Sequence, residues 1–270
     1  MTRGFQINAR YCRVAAAALL MVSAGRADRV AVRHTEGRVH GFLALRDASG
    51  ETLASGTLTQ LANGNRVTAT LIFHFKDGSL HEETTVFSQA RAFQLLTYHL
   101  VQKGKAFKRP TDLTINATSG QVAIRYSDDG KEKTINDHMK LPPDLANGMV
   151  PTLLSSISSK TPKTAVSMLV STPKPRIVKL EISPAGEDSF SVAGGGGKAM
   201  RYIVKVKIGG ISGVIAPIAG KQPPDTQVWI ATGNAPGFLR SDGPLFGEGP
   251  VWRIELASPV WPKGEPAPKH

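Results

Sequence analysis

The sequence predicts a mainly β protein: a strongly curved antiparallel sheet, half-barrel or barrel, with one short central helix. Short runs in which apolar and polar residues alternate recur along most of the chain, as in strands with one buried face. Glycine paired with Asp, Asn or Ser separates many of these runs, which indicates tight turns. Helical spacing of apolar residues stands out in one stretch, 147–159.

The first 27 residues have the order of a secretory signal peptide. Basic residues from Arg3 to Arg13 precede the apolar run Val14 to Val22, and small residues follow. The run is shorter than the ~20 residues of a comfortable membrane span. We therefore expect cleavage after Ala24 or Ala27 and a periplasmic or secreted protein, with an uncleaved N-terminal anchor as the alternative.

Cysteine use and charge restrict the chemistry. The single cysteine, Cys12, lies before the apolar run, so the mature chain would have no disulfide, thiolate metal site or cysteine nucleophile. The formal net charge is +12, and four of the arginines lie within the first 27 residues. The remaining basic excess favours contact with polyanions such as anionic lipid headgroups, although a solvated basic surface is the plainer reading.

The length after cleavage suits one domain, residues 28–260, with a disordered tail at 261–270. Its halves, 37–140 and 164–258, would be joined by the helix at 147–159. The first half predicts strands at 39–45, 51–60, 67–76, 79–87, 93–102, 113–117, 121–127 and 131–139. Both faces of 93–102 are largely apolar, so a short helix competes there.

The Asp77-Gly78 pair predicts a two-residue hairpin turn. Counting outward from it pairs His74 with His81 and places Glu83 diagonally near His74. Two imidazoles and a carboxylate can hold a transition metal. Exposed strand histidines are the simpler interpretation, and we expect no metal site.

The central helix has one apolar face, formed by Val150, Leu153, Leu154 and Ile157. Pro151 suits its first turn, where backbone amides have no internal partner. The opposite face carries the hydroxyl residues Thr152, Ser155, Ser156 and Ser159, and is expected to meet water. So short a helix needs a larger partner, which we expect to be a sheet drawn from both halves.

The second half predicts strands at 166–170, 178–182, 201–208, 226–232 and 250–257. Val178, Leu180 and Ile182 alternate with charged residues, so that one face is buried and the other wet. On the wet face of the next strand we place three cations as a contact for polyanions: Arg201, Lys205 and Lys207.

A candidate contact for an apolar ligand comes from the apolar, glycine-bounded run 209–220 and nearby aromatic residues. We assign this role to Ile215, Trp229, Phe238 and Trp252. The alternative for the run is a buried crossing between strands.

Sequence motifs for catalysis are missing. The chain has no Gly-x-Ser-x-Gly, His-Glu-x-x-His or dinucleotide fingerprint, and the glycines at 194–197 before Lys198 lack phosphate-loop spacing. Ser171 and Lys174 match Ser-x-x-Lys by letter within a proline-rich connector. The acidic residues Asp128, Asp129, Glu187 and Asp188 occur at predicted turns, so a hydrolase would need a carboxylate pair assembled by folding.

Four segments together resemble a family of exported β-rich proteins known only as a domain of unknown function. They are Leu141–Leu145, Ser183–Gly186, Val228–Ile230 and Trp252–Leu256, and the resemblance covers residues 37–258. It implies a strongly curved antiparallel sheet similar to periplasmic lipid-carrying half-barrels, with no activity or functional residues to carry over.

These observations lead to one functional expectation and two alternatives. We expect a non-enzymatic periplasmic protein that binds an apolar or lipid-like ligand, without cofactor or nucleic acid, and that contacts the membrane peripherally. A structural module that contacts another envelope protein through a sheet edge is the first alternative. The second is the hydrolase with a fold-assembled carboxylate pair.

Overall fold

The computed structural model describes residues 29–128, 130–171, 174–192, 195–207, 223–247 and 249–257. They form one antiparallel sheet of 14 strands and one short helix. The strands are β1 Val39–Arg46, β2 Thr52–Asn63, β3 Arg66–Phe75, β4 Leu80–Ser88, β5 Gln94–Lys103, β6 Thr111–Asn116, β7 Gln121–Asp128, β8 Lys131–His138, β9 Thr164–Val170, β10 Arg176–Val192, β11 Gly195–Lys207, β12 Thr226–Ala231, β13 Phe238–Pro244 and β14 Val251–Leu256; α1 is Val150–Ser156. The mainly β fold with one short central helix is confirmed.

The first described strand, β1, lies in the middle of the sheet. From β1 the chain proceeds strand by strand to the edge at β8, crosses through α1 to the other edge at β9, and returns to the middle at β14. There β14 pairs with β1, with Leu43 opposite Leu256. Each half of the chain therefore forms one half of the sheet, and strand pairing does not close the sheet between β8 and β9.

The segment before α1 covers the β9 edge. The Ala146 amide donates to the Ser167 carbonyl at 2.8 Å, and the Ser167 amide donates to the Asp144 carbonyl at 3.1 Å. The Asn147 side chain accepts the Leu169 amide and donates to the Leu169 carbonyl, each at 2.9 Å. The backbone groups of Ser167 and Leu169 are thus satisfied, which protects this part of the edge from pairing with another chain.

The helix packs as its apolar spacing predicts. Leu153 and Leu154 are buried, and Val150 and Ile157 pack against the same core. The Tyr202 hydroxyl donates to the Ile157 carbonyl at 2.9 Å, so a strand of the sheet satisfies one of the carbonyls at the helix C-terminus. Contacts with the sheet therefore hold a helix of 7 residues in place.

The water-facing position expected for Ser156 is wrong. Ser156 is 2 % exposed, and its hydroxyl oxygen accepts the amides of Arg33 and His34 at 3.2 and 3.3 Å. The segment that contains Arg33 and His34 covers this side of the helix. Helical spacing reflects only local sequence, so it does not predict a contact with residues more than 120 positions away.

The predicted register of the β3–β4 hairpin is off by one residue. His81 pairs with Phe73, not with His74, and the loop has three residues, Lys76 to Gly78. The Asp77 carboxylate accepts the Ser79 amide at 2.9 Å, and Gly78 takes the positive φ of 82°. Such a loop combines a type I turn with one left-handed glycine, whereas the two-residue turn needs two positive φ values.

Two apolar clusters fill the inward side of the sheet. The larger one joins α1 to the sheet through residues such as Leu153, Leu154 and Tyr202. The smaller one contains Phe73, Phe75, Phe107 and Trp252 together with β1 leucines. Residues 93–102, for which a helix competed, form most of strand β5.

Several sequence predictions fall outside the described residues: the signal peptide at 1–27, the tail at 261–270 and Ile215. Within the described ranges, no helix combines the length and the apolar character that crossing a bilayer requires.

Candidate ligand-binding site on the inward face

Four inward-facing side chains from neighbouring strands form a continuous row across the sheet. Leu58 of β2 lies opposite Leu71 of β3, Leu71 opposite Glu83 of β4, and Glu83 opposite Leu100 of β5. We call these four residues the inward row. All four are half-buried, although other residues on the same face of these strands, such as Phe73, are fully buried. Water-accessible space therefore adjoins the inward row between the two clusters.

Glu83 is the charged member of this row. The Tyr98 hydroxyl donates to its Oε2 at 3.0 Å. Burial raises the pKa of the Glu83 carboxyl, and the hydrogen bond from Tyr98 opposes that shift only in part. Burial, followed by the charge of Glu83, also raises the pKa of Tyr98 well above its ordinary value. The pair places a carboxyl group and a phenol among leucines, where a ligand's polar group can meet them.

The segment before α1 passes directly over this pair. Gly148 has a φ of 68°, and a Cβ built on it would lie 2.9 Å from Glu83 Oε1 and 3.0 Å from a ring carbon of Tyr98. It would also collide with the Thr85 hydroxyl. Glycine is required here both for its backbone conformation and for the close approach.

A second buried polar group lies next to Glu83 on the same face of β4. His81 is 1 % exposed and packs near the rings of Phe73 and Phe107. Its Nδ1 lies 3.1 Å from Nε2 of Gln102, while Nε2 of His81 has no hydrogen-bond partner. Burial lowers the pKa of His81 to about 4, so the ring is neutral at physiological pH.

The aromatic side of the site lies beyond His81. Ring centroids of Phe75 and Trp252 are 5.6 Å apart, those of Phe75 and Phe107 5.4 Å, and those of Phe246 and Trp252 5.8 Å. Leu58 and Leu71 pack against this cluster. Phe238 is half-buried and touches both apolar clusters.

Trp229 lies on the opposite face of the sheet from Trp252. It pairs with Arg240, and Arg240 pairs with Glu255, which points away from the face of Trp252 on the same strand. The two tryptophans therefore do not line one pocket. The physical reason is the side-chain period of two, because positions 252 and 255 differ by an odd number.

Trp229 belongs instead to a polar network on the outward face. Its indole N–H donates to Asp188 at 2.6 Å, and the Arg240 guanidinium lies 4.3 Å from the ring centroid. Asp242 receives two hydrogen bonds each from Arg240 and Arg253. Burial alone would raise the pKa of Asp242, but these arginine bonds and charges outweigh it and lower the pKa. Asp188, expected at a solvated turn, is thus a partner of Trp229.

The three cations assigned to polyanion contact lie on the outward face, as the alternation predicts. The side chains of Lys205 and Lys207 are 44 and 54 % exposed. Each has an acidic neighbour: Asp225 at 3.1 Å from Lys205 and Glu181 at 3.8 Å from Lys207. Arg201 donates to the Ala185 carbonyl at 3.3 Å and lies 3.6 Å from Asp188.

The idea of a metal bound by His74 and His81 is wrong, since the two residues lie on opposite faces of the sheet. Among the described side chains, no three of His, Cys, Asp and Glu converge to hold a metal ion. A separate cleft of about 160 Å³ lies beside the segment before α1 and is lined by Gln94, Leu95, Ala117, Leu141, Pro142, Pro143 and Leu145.

Sequence reasoning missed Glu83 and Tyr98 as a pair. The available signal was the run of polar residues at alternate positions of β4, where His81, Glu83 and Thr85 all face inward. A strand with polar residues on its core-facing side departs from ordinary patterning, and such departures concentrate at functional sites.

Together the fold and the site define a mainly β protein with one open antiparallel sheet and a polar pair on its inward face. No protein-family model matches the chain, and no curated protein matches it. A solved structure similar to it is a beta-barrel-like protein of domain of unknown function DUF1849 from Brucella abortus. The two sequences are 10 % identical, and their structural alignment covers 84 % of this chain and 97 % of that chain with a TM-score of 0.42.

Proposed function

We propose that this protein is a non-enzymatic protein of the cell envelope that binds an apolar, lipid-like molecule against the inward row. The observation that carries the proposal is the half-burial of Leu58, Leu71, Glu83 and Leu100 on the inward face of the sheet. Inward leucines that stay accessible to water favour the binding of an apolar molecule, since covering them releases about 25 cal/mol per Å².

The ligand has a polar end that meets Glu83. Ligand sites combine apolar walls with a few placed polar groups, and the Glu83–Tyr98 pair at 3.0 Å is such a group. Tyr98 donates one hydrogen bond to the Glu83 carboxyl, and a hydroxyl or ammonium donor from the ligand takes part of its remaining acceptor capacity. The alkyl chain runs along the leucines toward Phe238 and the aromatic cluster of Trp252.

Placement in the periplasm rests on the N-terminal sequence. Sequencing the N-terminus of protein isolated from cells tests it: a start at residue 25 or 28 supports export, and a start at Met1 or Thr2 contradicts it. Solvent extraction and mass spectrometry of the same material should detect a co-purifying lipid.

Binding itself is tested with N-phenyl-1-naphthylamine, a neutral probe that fluoresces in apolar sites. The protein should bind the probe, and Leu71→Trp should weaken binding at least tenfold, because the larger side chain fills the space beside Glu83. The matched control is Ile72→Trp, one residue along β3 and therefore on the outward face. Equal effects of the two variants, or no probe binding by the unaltered protein, would contradict the proposal.

The polar end is tested by displacing the probe with 1-dodecanol, dodecylamine and dodecanoate. The alcohol and the amine should compete better than the carboxylate, whose charge repels Glu83. Glu83→Gln should reduce this preference while probe binding persists. If all three compete equally, the role of Glu83 is wrong although the apolar site stands.

A further inference from the structure

One end of the sheet gathers three connections into a single surface. The Ala106 amide donates to the Ser79 hydroxyl at 2.9 Å, which joins the β5–β6 connection to the β3–β4 turn. A Cβ on Gly104 would lie 2.5 Å from Ser79 Oγ, so the two segments touch closely. On the other side, the Ser127 amide donates to the Pro110 carbonyl at 3.1 Å, next to the β7–β8 turn.

This end carries four exposed lysines, which we call the basic rim: Lys103, Lys105, Lys108 and Lys131. Asp128 binds Lys133 at 2.7 Å and lies 3.4 Å from Arg109. Hydrogen bonds from Ser79 lower the pKa of Asp77, and the charge of Lys105 adds to this effect without forming an ion pair. Among the described residues, no ion pair of these four lysines is formed.

The lysines of the outward face differ from the rim in this respect. Lys163 lies 3.0 Å from Glu181, Lys205 lies 3.1 Å from Asp225, and Lys207 lies 3.8 Å from Glu181. These three lysines share two carboxylates, so their charges are opposed at close range. Within the described part of the chain, the rim lysines differ in having no such partner, even though the alternation of β11 first draws attention to Lys205 and Lys207.

The rim is also held rigidly. Phe107, in the middle of the β5–β6 connection, is 3 % exposed, and its ring lies 5.4 Å from Phe75 and 5.5 Å from Phe246. This anchor fixes the backbone between Lys105 and Lys108, so the loop that carries these two lysines need not be ordered on binding.

We propose that the basic rim docks this protein on an anionic bilayer surface. The rim lysines are exposed at one end of the sheet, and hydrated ammonium groups there suit a plane of phosphate headgroups. Nucleic acid fits less well, because Phe107 is buried beneath the rim and the half-buried ring of Tyr126 is already in contact with Arg109 and Lys133. Docking would also bring the inward face to a source of lipid.

The test is sedimentation with vesicles of phosphatidylglycerol and phosphatidylethanolamine, compared with phosphatidylcholine vesicles. The intact protein should bind the anionic vesicles and release them as salt rises, since screening acts over about 10 Å at 0.1 M. The triple variant Lys103→Gln, Lys105→Gln, Lys108→Gln should bind on the order of a hundredfold more weakly.

The matched control removes three lysine charges that have acidic neighbours: Lys163→Gln, Lys205→Gln, Lys207→Gln. It changes the net charge equally and should keep most of the vesicle binding. If both triple variants lose binding alike, general charge and not the rim is responsible, and the proposal fails. It also fails if the protein binds duplex DNA tightly and ignores anionic vesicles. Circular dichroism of both triple variants establishes that they remain folded.

Discussion

Gly148 lies against Glu83 so closely that a single added carbon would sit 2.9 Å from the carboxylate oxygen Oε1. The helical crossing thus rests directly on the inward polar pair. Gly148 belongs to the only helical crossing between the described strands, and Glu83 belongs to strand β4. Their contact therefore couples the crossing to the sheet.

Gly148→Ala should lower the free energy of unfolding by about 2–4 kcal/mol, from the left-handed conformation and from overpacking against Thr85. Urea unfolding measures the change. Gly64→Ala is the control, because Gly64 has a φ of 57° but nothing within 4 Å of its built Cβ. It should cost only about 1 kcal/mol, and a similar cost at both sites would remove the inferred contact.

His81 should make the protein less stable in acid. Its pKa falls from 6.5 in the unfolded chain to about 4 in the folded one, so the unfolded state binds more protons between these values. Stability contributed by neutral His81 is complete above pH 6.5 and is lost as pH falls. From pH 7 to 4.5 the loss is roughly 2–3 kcal/mol.

The measurement is urea unfolding of the protein and of His81→Gln at pH 7, 5.5 and 4.5. The variant should show a smaller decline, whereas His74→Gln, on the outward face, should behave as the unaltered protein. Glu83 changes stability with pH in the opposite direction, and it does so equally in the unaltered protein and in both variants. Because burial raises its pKa, its contribution to stability is largest at low pH and is lost as pH rises. A decline unchanged in His81→Gln would show that other groups cause it.

Asp144 ties the helical crossing to the β9 edge. Its side chain is fully buried, and it accepts hydrogen bonds from the Ser167 hydroxyl at 2.9 Å and from Lys179 at 3.0 Å. Asp144→Ala should cost about 2–3 kcal/mol, because a buried hydroxyl loses its acceptor. Asp225→Ala removes the exposed partner of Lys205 and should cost less than about 1 kcal/mol. Equal losses in thermal or urea unfolding would contradict the difference in burial.

The opposite faces of Trp229 and Trp252 predict different responses to a brominated ligand. In variants that carry Trp261→Phe and retain one other tryptophan, 11-bromo-1-undecanol should quench Trp252 at least twice as strongly as Trp229. Bromine quenches only at short range, and only Trp252 belongs to the inward cluster that borders Leu58 and Leu71. Stronger quenching of Trp229 would place the ligand on the outward face.

The sequence predicts most of the strands because alternation and glycine turns are local. It also predicts the buried stripe of α1, since Leu153 and Leu154 follow helical spacing. The strand order could not be read in this way, because pairing of β1 with β14 joins residues more than 200 positions apart. The one-residue error at Asp77 had a larger effect, since it brought His74 next to His81 and left the row through Glu83 unseen.

The site was predicted only in part. Trp252 and Phe238 lie on the inward side, while Trp229 is bound by Asp188 and Arg240 outside. The face of the sheet on which an aromatic side chain lies cannot be predicted until the strand register is known. The same limit applies to Lys205, whose partner Asp225 lies on the next strand connection.

The seam at the centre of the sheet sets an order of assembly. Apart from the β1–β14 pair, every paired strand has its partner next to it in sequence, so each half of the chain can form its own part of the sheet from local strand pairs. The last step is then the pairing of these two half-sheets along Leu43 to Arg46, where Arg46 and Glu255 are bonded at 2.8 Å. Until that moment β1 offers a bare row of amides and carbonyls, and this is where two partly folded copies would become entangled.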